Sequence, residues 1–160
     1  MDQNLSLATK LSGGKHLAHR YNDKIIGKAR VIFSTSRPSI NIEVDDLMSI
    51  DGIDEIWALD LSRCNLSKLP QIPLSVVHLS LASNDLKSVD LSHLSKLELL
   101  DCSRTLSLES LIVPSNITEL SIIFTNLRSL DLTHTKLRAI EHSGSVQIKY
   151  PQTTLYYYSR

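Results

Sequence analysis

Four side chains that could form a hydrolytic relay are predicted to lie on one face of a strand array. They are Asp60, His78, Ser80 and Asp101. In such a relay a histidine takes the proton of the serine hydroxyl, and a carboxylate orients the histidine. Catalysis also needs donors for the developing oxyanion and a pocket that excludes water. An open strand face provides neither, so the sequence predicts a protein that is not an enzyme.

Two other kinds of chemical site have still weaker support. His78, Asp101 and Glu119 could in principle ligate a metal, but their spacing matches no diagnostic ligand pattern. The segment 10–16 contains Gly-Gly-Lys, yet it lacks G-x-x-x-x-G-K-[ST] and no predicted strand leads into it. We therefore expect no metal, no cofactor and no small-molecule substrate.

The elements that would position these side chains follow from a period of about twenty residues. Apolar side chains and a Cys, Asn or Thr recur in four copies, at Ile56, Leu59, Leu61, Cys64 and Leu66; Val76, Leu79, Leu81, Asn84 and Leu86; Leu97, Leu100, Cys102, Thr105 and Leu108; and Ile117, Leu120, Ile122, Thr125 and Leu127. This spacing, L-x-x-L-x-L-x-x-N-x-L with one slipped position at Leu108, resembles the leucine-rich repeat. A single unit cannot bury its apolar side, so such units must stack.

Weaker copies extend the repeat over about residues 37–148. The units begin near residues 37, 56, 76, 97, 117 and 137, with steps of 19, 20, 21, 20 and 20. A second register, with the motif on residues 127–137, begins only ten residues after the fourth clear copy. We prefer the twenty-residue spacing because the shorter one would leave a unit without a returning segment.

The resemblance implies a leucine-rich-repeat solenoid, which is a curved parallel β-sheet of about six short strands. Units of about twenty residues are too short for a helix in each return, so the returns should be mostly extended or turn-like. Pro70, Pro73 and Pro114 suit such backbone, since proline has no amide donor. The end of the chain, 153–158, has high strand propensity and should cap the C-terminal end.

Charge separates the first residues from the rest of the chain. The sequence has 17 basic and 17 acidic side chains, but residues 1–37 carry seven basic and two acidic ones, or +5, which leaves −5 for residues 38–160. We divide the chain into a basic N-terminal segment, 1–36, and a leucine-rich-repeat domain with its C-terminal cap, 37–160. The N-terminal segment is interpreted as a loose tail, a possible short helix over 15–28 and a capping strand at 30–33.

The two cysteines, Cys64 and Cys102, are predicted to be reduced and structural. Two strand spacings would separate them by about 9–10 Å, which exceeds the limit of roughly 7 Å between the α carbons of a disulfide. Residues 1–30 lack the apolar run of a signal peptide, and no stretch approaches the ~20 apolar residues of a membrane span. These features fit a reducing compartment.

A more specific likeness covers two units. Residues 69–86, L-P-Q-I-P-L-S-V-V-H-L-S-L-A-S-N-D-L, resemble the short bacterial repeat L-P-x-L-P-x-S-L-x-x-L-x-V-x-x-N-x-L, and residues 113–122 echo it. Other units replace the prolines, as in 89–92. This subtype occurs in effectors that bacteria inject through type III secretion systems. The likeness implies a virulence protein that is cytoplasmic, or secreted into a host cell without a cleavable signal peptide.

The surface that could bind a partner is the concave strand face. Because strand side chains alternate, the middle outward column would be Asp60, Ser80, Asp101, Ser121 and Glu141. Small or acidic residues argue against nucleic acid, whose phosphates need Lys and Arg, and they permit a basic protein. The candidate partner-binding residues are Trp57, Asp60, His78, Leu99, Asp101, Glu119, Ile123 and Phe124. The alternative is that the apolar ones among them pack against neighbours or under a terminal segment.

Four functional hypotheses follow. The first is a non-enzymatic binding module that holds an unidentified protein on the concave face, and the second is an inhibitor or immunity-type protein that blocks an enzyme with the same face. The third is the substrate-recognition half of a ubiquitin ligase, because some of the type III effectors join such repeats to a ligase domain; no room for that domain is expected after residue 150. The fourth is a basic N-terminal arm that meets an acidic membrane or nucleic acid.

Overall fold

The computed structural model describes residues 58–152 and the backbone of residues 156–159. The predicted first repeat unit, the N-terminal helix, the N-terminal capping strand and Trp57 lie outside the described residues. Within this part of the chain the secondary structure consists of ten short strands and no helix: β1 Ala58–Asp60, β2 His78–Ser80, β3 Ser88–Asp90, β4 Leu99–Asp101, β5 Ser110–Ile112, β6 Glu119–Ile122, β7 Ser129–Asp131, β8 Ala139–His142, β9 Gln147–Lys149 and β10 Tyr156–Ser159.

The strands form a parallel β-solenoid. Six of them make one sheet, the main sheet, in the order β1-β2-β4-β6-β8-β10, and the returning strands pair as β3–β5 and β7–β9. All seven strand pairs are parallel. The expected extended or turn-like returns are therefore confirmed over the described residues.

The register of the main sheet confirms the twenty-residue stacking. One apolar side chain per turn lies on the same rung line, and all five are buried: Leu59, Leu79, Leu100, Leu120 and Ile140. Burying each side chain of this size stabilises the fold by roughly 1.5–3 kcal/mol. Each turn thus covers the apolar side of its neighbour.

The return strands explain why a second register competed near the end of the repeat. Leu130 lies in β7 and pairs with Ile148 of β9, whereas Ile140 of β8 is the residue that pairs with Leu120 in the main sheet. The prediction of a twenty-residue step is therefore confirmed. Leu-Asp-Leu in a return strand resembles the motif because the return strand also buries alternate side chains.

The C-terminal strand continues the main sheet. β10 pairs in parallel with β8, with Tyr157 opposite Ile140, after a step of 17 residues. The strand that the sequence predicted as a cap is therefore the sixth strand of this sheet. The other five belong to the units that begin near residues 56, 76, 97, 117 and 137.

A buried asparagine holds two successive turns together. Asn84 Oδ1 accepts hydrogen bonds from the backbone amides of Cys64 at 3.1 Å and Leu66 at 3.0 Å. Its Nδ2 donates to the carbonyls of Leu61 at 2.9 Å and Leu81 at 2.8 Å. The side chain thereby pairs with backbone groups of both turns in the interior, where polar groups need hydrogen-bond partners.

Smaller residues occupy the same motif position elsewhere. Thr105 Oγ1 donates to the Leu81 carbonyl, and Thr125 Oγ1 donates to the carbonyl of Ile122. Cys64 and Cys102 are buried thiols, as predicted. Burial, with a smaller contribution from the charge of Asp101, raises the pKa of the Cys102 thiol far above its usual range, so both cysteines serve as core residues.

Candidate functional site

The outer face of the main sheet, which is the side opposite the core, carries two columns of side chains. One column runs through Ala58, His78, Leu99, Glu119 and Ala139, and the other through Asp60, Ser80, Asp101, Ser121 and Glu141. Neighbouring members stand on adjacent strands, about 4.8 Å apart. Side chains that are some twenty residues apart in sequence therefore become immediate neighbours.

A groove of about 600 Å³ opens on this face over β4, β6 and β8. Three acidic side chains line it, Asp101, Glu119 and Glu141, together with a single cation, Arg104. The remaining lining residues are apolar or small: Leu99, Leu100, Ser103, Leu120, Ser121, Ile123, Phe124, Ala139 and Ile140. We call this the acidic groove.

A tight turn fixes the carboxylate of Asp101 at the end of β4. Its Oδ1 accepts the backbone N–H of Ser103 at 2.9 Å, which is the Asx-turn arrangement. The same contact recurs at Asp60, Asp90 and Asp131. An aspartate at the end of a strand therefore has a local structural role in addition to any role in binding.

The other two acidic side chains have more freedom. Glu119 is exposed, and Glu141 is half-buried with its Oε2 accepting a hydrogen bond of 3.3 Å from Ser121 Oγ. This bond directs the Glu141 carboxylate toward the middle of the groove. Three carboxylates and one guanidinium leave the lining with a net charge of −2, so the groove favours a positively charged ligand.

Arg104 and Phe124 form the rim of the groove. Phe124 is 53% exposed, and the guanidinium carbon of Arg104 lies 6.0 Å from the centre of its ring. This distance is at the outer limit for a cation–π contact. The backbone amide of Phe124 donates to Ser143 Oγ at 3.0 Å, so the ring projects from a turn that is tied to the next unit.

Both rim residues belong to a column of left-handed turn residues. Arg63, Ser83, Arg104 and Phe124 have φ values of 57°, 57°, 58° and 56°. Each directly precedes the Cys, Asn or Thr of its unit. The left-handed region costs a side-chain-bearing residue about 1 kcal/mol or more. We call these four residues the turn column.

The structure brings together five of the eight candidate partner-binding residues. Leu99, Asp101, Glu119, Ile123 and Phe124 all line the acidic groove. The other three do not line it. His78 is on β2, the strand next to that of Leu99, and Asp60 is fully buried on β1, two strands away from Asp101. Trp57 is outside the described residues.

Eight further lining residues were not among the candidates: Leu100, Ser103, Arg104, Leu120, Ser121, Ala139, Ile140 and Glu141. Ser121 and Glu141 belong to the middle outward column that the sequence predicted, although neither was chosen as a partner-binding candidate. Arg104 carried a sequence signal too, because it occupies the motif position of the candidate Phe124 one unit earlier.

Among the described residues, the serine of the possible relay is not hydrogen-bonded to its histidine. Ser80 Oγ is buried, and within the described part of the chain it has no hydrogen-bond partner that could take its proton. Residues 58–152 also contain no group of three or more His, Cys, Asp or Glu side chains placed to hold a metal ion. No helix long and apolar enough to cross a membrane is found in the described segments.

Comparisons with known proteins assign no family to this chain. No protein-family model matches the sequence, and a search of curated proteins finds no match either.

Proposed function

We propose that this protein is a non-enzymatic binding module that holds a partner protein in the acidic groove. The observation that carries the proposal is the convergence of Leu99, Ile123 and Phe124 with three carboxylates in one groove. Apolar and aromatic side chains surrounded by polar ones are typical of an interface core and its rim. The partner should present a basic segment with at least one bulky apolar side chain.

We further infer that the repeat is a leucine-rich repeat. The bonds of Asn84 to the preceding turn support this, because they give the motif asparagine a structural reason. Parallel stacking at steps of 20 or 21 residues from Leu59 to Ile140 supports it as well. The likeness of residues 69–86 to type III secreted effectors makes a bacterial effector role a specific form of the proposal.

The charges of Glu119 and Glu141 offer the cleanest test. Glu119→Lys with Glu141→Lys should abolish capture of a groove-dependent partner from candidate cell lysates, since two attractive contacts become repulsive. Asp101 is not suitable for charge reversal, because its carboxylate also holds the turn at Ser103. Capture should also weaken as salt rises, since exposed charges are screened beyond about 10 Å at 0.1 M.

A matched control reverses two exposed acidic residues away from the groove. Asp85→Lys with Glu109→Lys changes the net charge by the same amount, and neither residue lines the acidic groove. This control should capture the partner as the unmodified protein does. Equal capture by all three proteins would reject the groove as the binding surface, and equal loss with both double variants would point to net charge instead.

A further inference from the structure

A second cavity lies on the turn column, beside the acidic groove. Its volume is about 440 Å³, and it is lined by Ser62, Arg63, Ala82, Ser83, Asp101, Ser103 and Arg104. Two guanidinium groups, three serine hydroxyls and one carboxylate give it a lining charge of +1 and a mostly polar surface. Its chemistry is therefore the reverse of that of the groove.

Three hydrogen-bond donors stand on successive turns at this cavity. Arg63, Ser83 and Arg104 occupy equivalent positions in three consecutive units. Their backbone amides donate to the next unit, at Ala82, Ser103 and Ile123 respectively. These three amides already donate hydrogen bonds between the turns, so a ligand would have to bind the side chains.

The residue types at these positions are not those that the backbone favours. All three have φ near +57°, where glycine or asparagine would be less strained. Two arginines and a serine therefore stand where each costs stability. Non-glycine residues in this region that persist despite the strain are often found at functional sites.

Two of these donors have no acceptor within the described segments. Ser83 Oγ forms no hydrogen bond there, and the Arg104 guanidinium has neither a hydrogen bond nor an ion pair. The side chain of Arg104 instead lies over the ring of Phe124. A guanidinium that lies on a ring still presents its N–H groups in its own plane.

We propose that this cavity binds a phosphate group between Arg63 and Arg104, with Ser83 donating a third hydrogen bond. A phosphate group has three acceptor oxygens on its exposed face, which matches donors on three successive turns. Arginine forks bind such oxygens in pairs and lose little freedom in doing so. The phosphate can be free or carried by a side chain of a partner, and the chemistry of recognition is the same.

The charge of Asp101 should affect the affinity of the cavity for phosphate. Its carboxylate lines both the cavity and the acidic groove, so its charge opposes phosphate while it favours a basic partner. Asp101→Asn removes the charge, and the amide oxygen can still accept the Ser103 N–H. This variant should tighten phosphate binding about threefold, since the repulsion acts across a solvated gap.

The test is a titration of the full chain with inorganic phosphate at constant ionic strength, with the arginine side-chain N–H signals followed by NMR. We expect saturable shifts at Arg63 and Arg104, which follow the ends of β1 and β4. We expect none at Arg138, which directly precedes β8 and so lies at the other end of the parallel strands. Arg63→Gln and Arg104→Gln should each weaken binding at least about tenfold, because a charged hydrogen bond is lost. Arg138→Gln is the matched control and should leave the affinity unchanged.

Three outcomes would overturn the proposal. They are shifts no larger than those produced by chloride, unchanged affinity in both Arg63→Gln and Arg104→Gln, and acetate binding as tightly as phosphate. O-phosphoserine serves as the second probe. If it binds at least as tightly as inorganic phosphate, the site takes phosphorylated side chains, and if it binds much less tightly, the site takes free phosphate. Neither result depends on whether the acidic groove captures a protein.

Discussion

The side-chain oxygen of Asn84 lies 3.1 Å from the backbone nitrogen of Cys64, one turn earlier in the solenoid. The asparagine is almost fully buried, and its amide group makes its hydrogen bonds with backbone atoms alone. One side chain therefore joins two strands of the main sheet through their turns. The turn that precedes Asn84 also carries Ser83, which lines the proposed phosphate cavity.

Replacing Asn84 with alanine should lower the free energy of unfolding by about 2–4 kcal/mol. The buried amides of Cys64 and Leu66 would lose their acceptor, and each unpaired group costs about 1–3 kcal/mol. Urea unfolding followed by circular dichroism measures the change. Asn126→Ala is the matched control, because the Asn126 side chain is exposed and forms no hydrogen bond within the described residues. Equal losses in the two variants would contradict the role given to Asn84.

The thiols of Cys64 and Cys102 should be inert in the folded protein. Both are buried, and burial raises the pKa of Cys102 far above the pH of any ordinary thiol assay. The reactive thiolate of Cys102 is therefore nearly absent at pH 8, and burial shields Cys64 from the reagent. A thiol reagent should modify both cysteines only at the rate of unfolding, and its rate should rise with urea. Rapid labelling without urea would show that the core around them is open.

Acid should weaken the turns that follow β3 and β7. The pKa of Asp90 is lowered from 3.8, chiefly by the backbone hydrogen bond of Ser92, and that of Asp131 is lowered from 3.8, chiefly by the side-chain hydrogen bond of Thr133. A carboxylate with a lowered folded-state pKa contributes stability that is complete above its unfolded-state pKa and lost as pH falls through the folded-state pKa. This loss should therefore begin as the pH falls through about 3.8.

Asp131→Asn tests this pH dependence. Its amide oxygen can still accept the Thr133 N–H but cannot titrate, so the stability of the variant should fall less steeply below pH 4 than that of the unmodified protein. The measurement is urea unfolding at a series of pH values between about 2.5 and 6, the range over which carboxylates titrate. Asp85→Asn is the control, because the Asp85 side chain forms no turn hydrogen bond in the described part of the chain. Parallel curves for Asp131→Asn and the unmodified protein would contradict the prediction.

The amino-acid sequence by itself determined which residues stack. A period of about twenty residues can bury Leu59, Leu79, Leu100 and Leu120 only if each unit adds one strand beside the last, and these four residues do share a rung line. The same period assigned Asp101 and Glu141 to the outward side. The repeat period of apolar residues and the alternation of side chains within a strand are both properties of the sequence, so they can be recognised without the tertiary structure.

Only the tertiary structure decided which outward residues share a site. Asp60 and Asp101 occupy the same motif position, yet Asp60 is fully buried whereas Asp101 lines the acidic groove. Arg104 and Phe124 are twenty residues apart and meet only because their turns stack with the same left-handed backbone. The exposure of a side chain and the identity of its neighbours depend on which other parts of the chain pack against it. A repeat pattern gives only the position of each residue within its own unit.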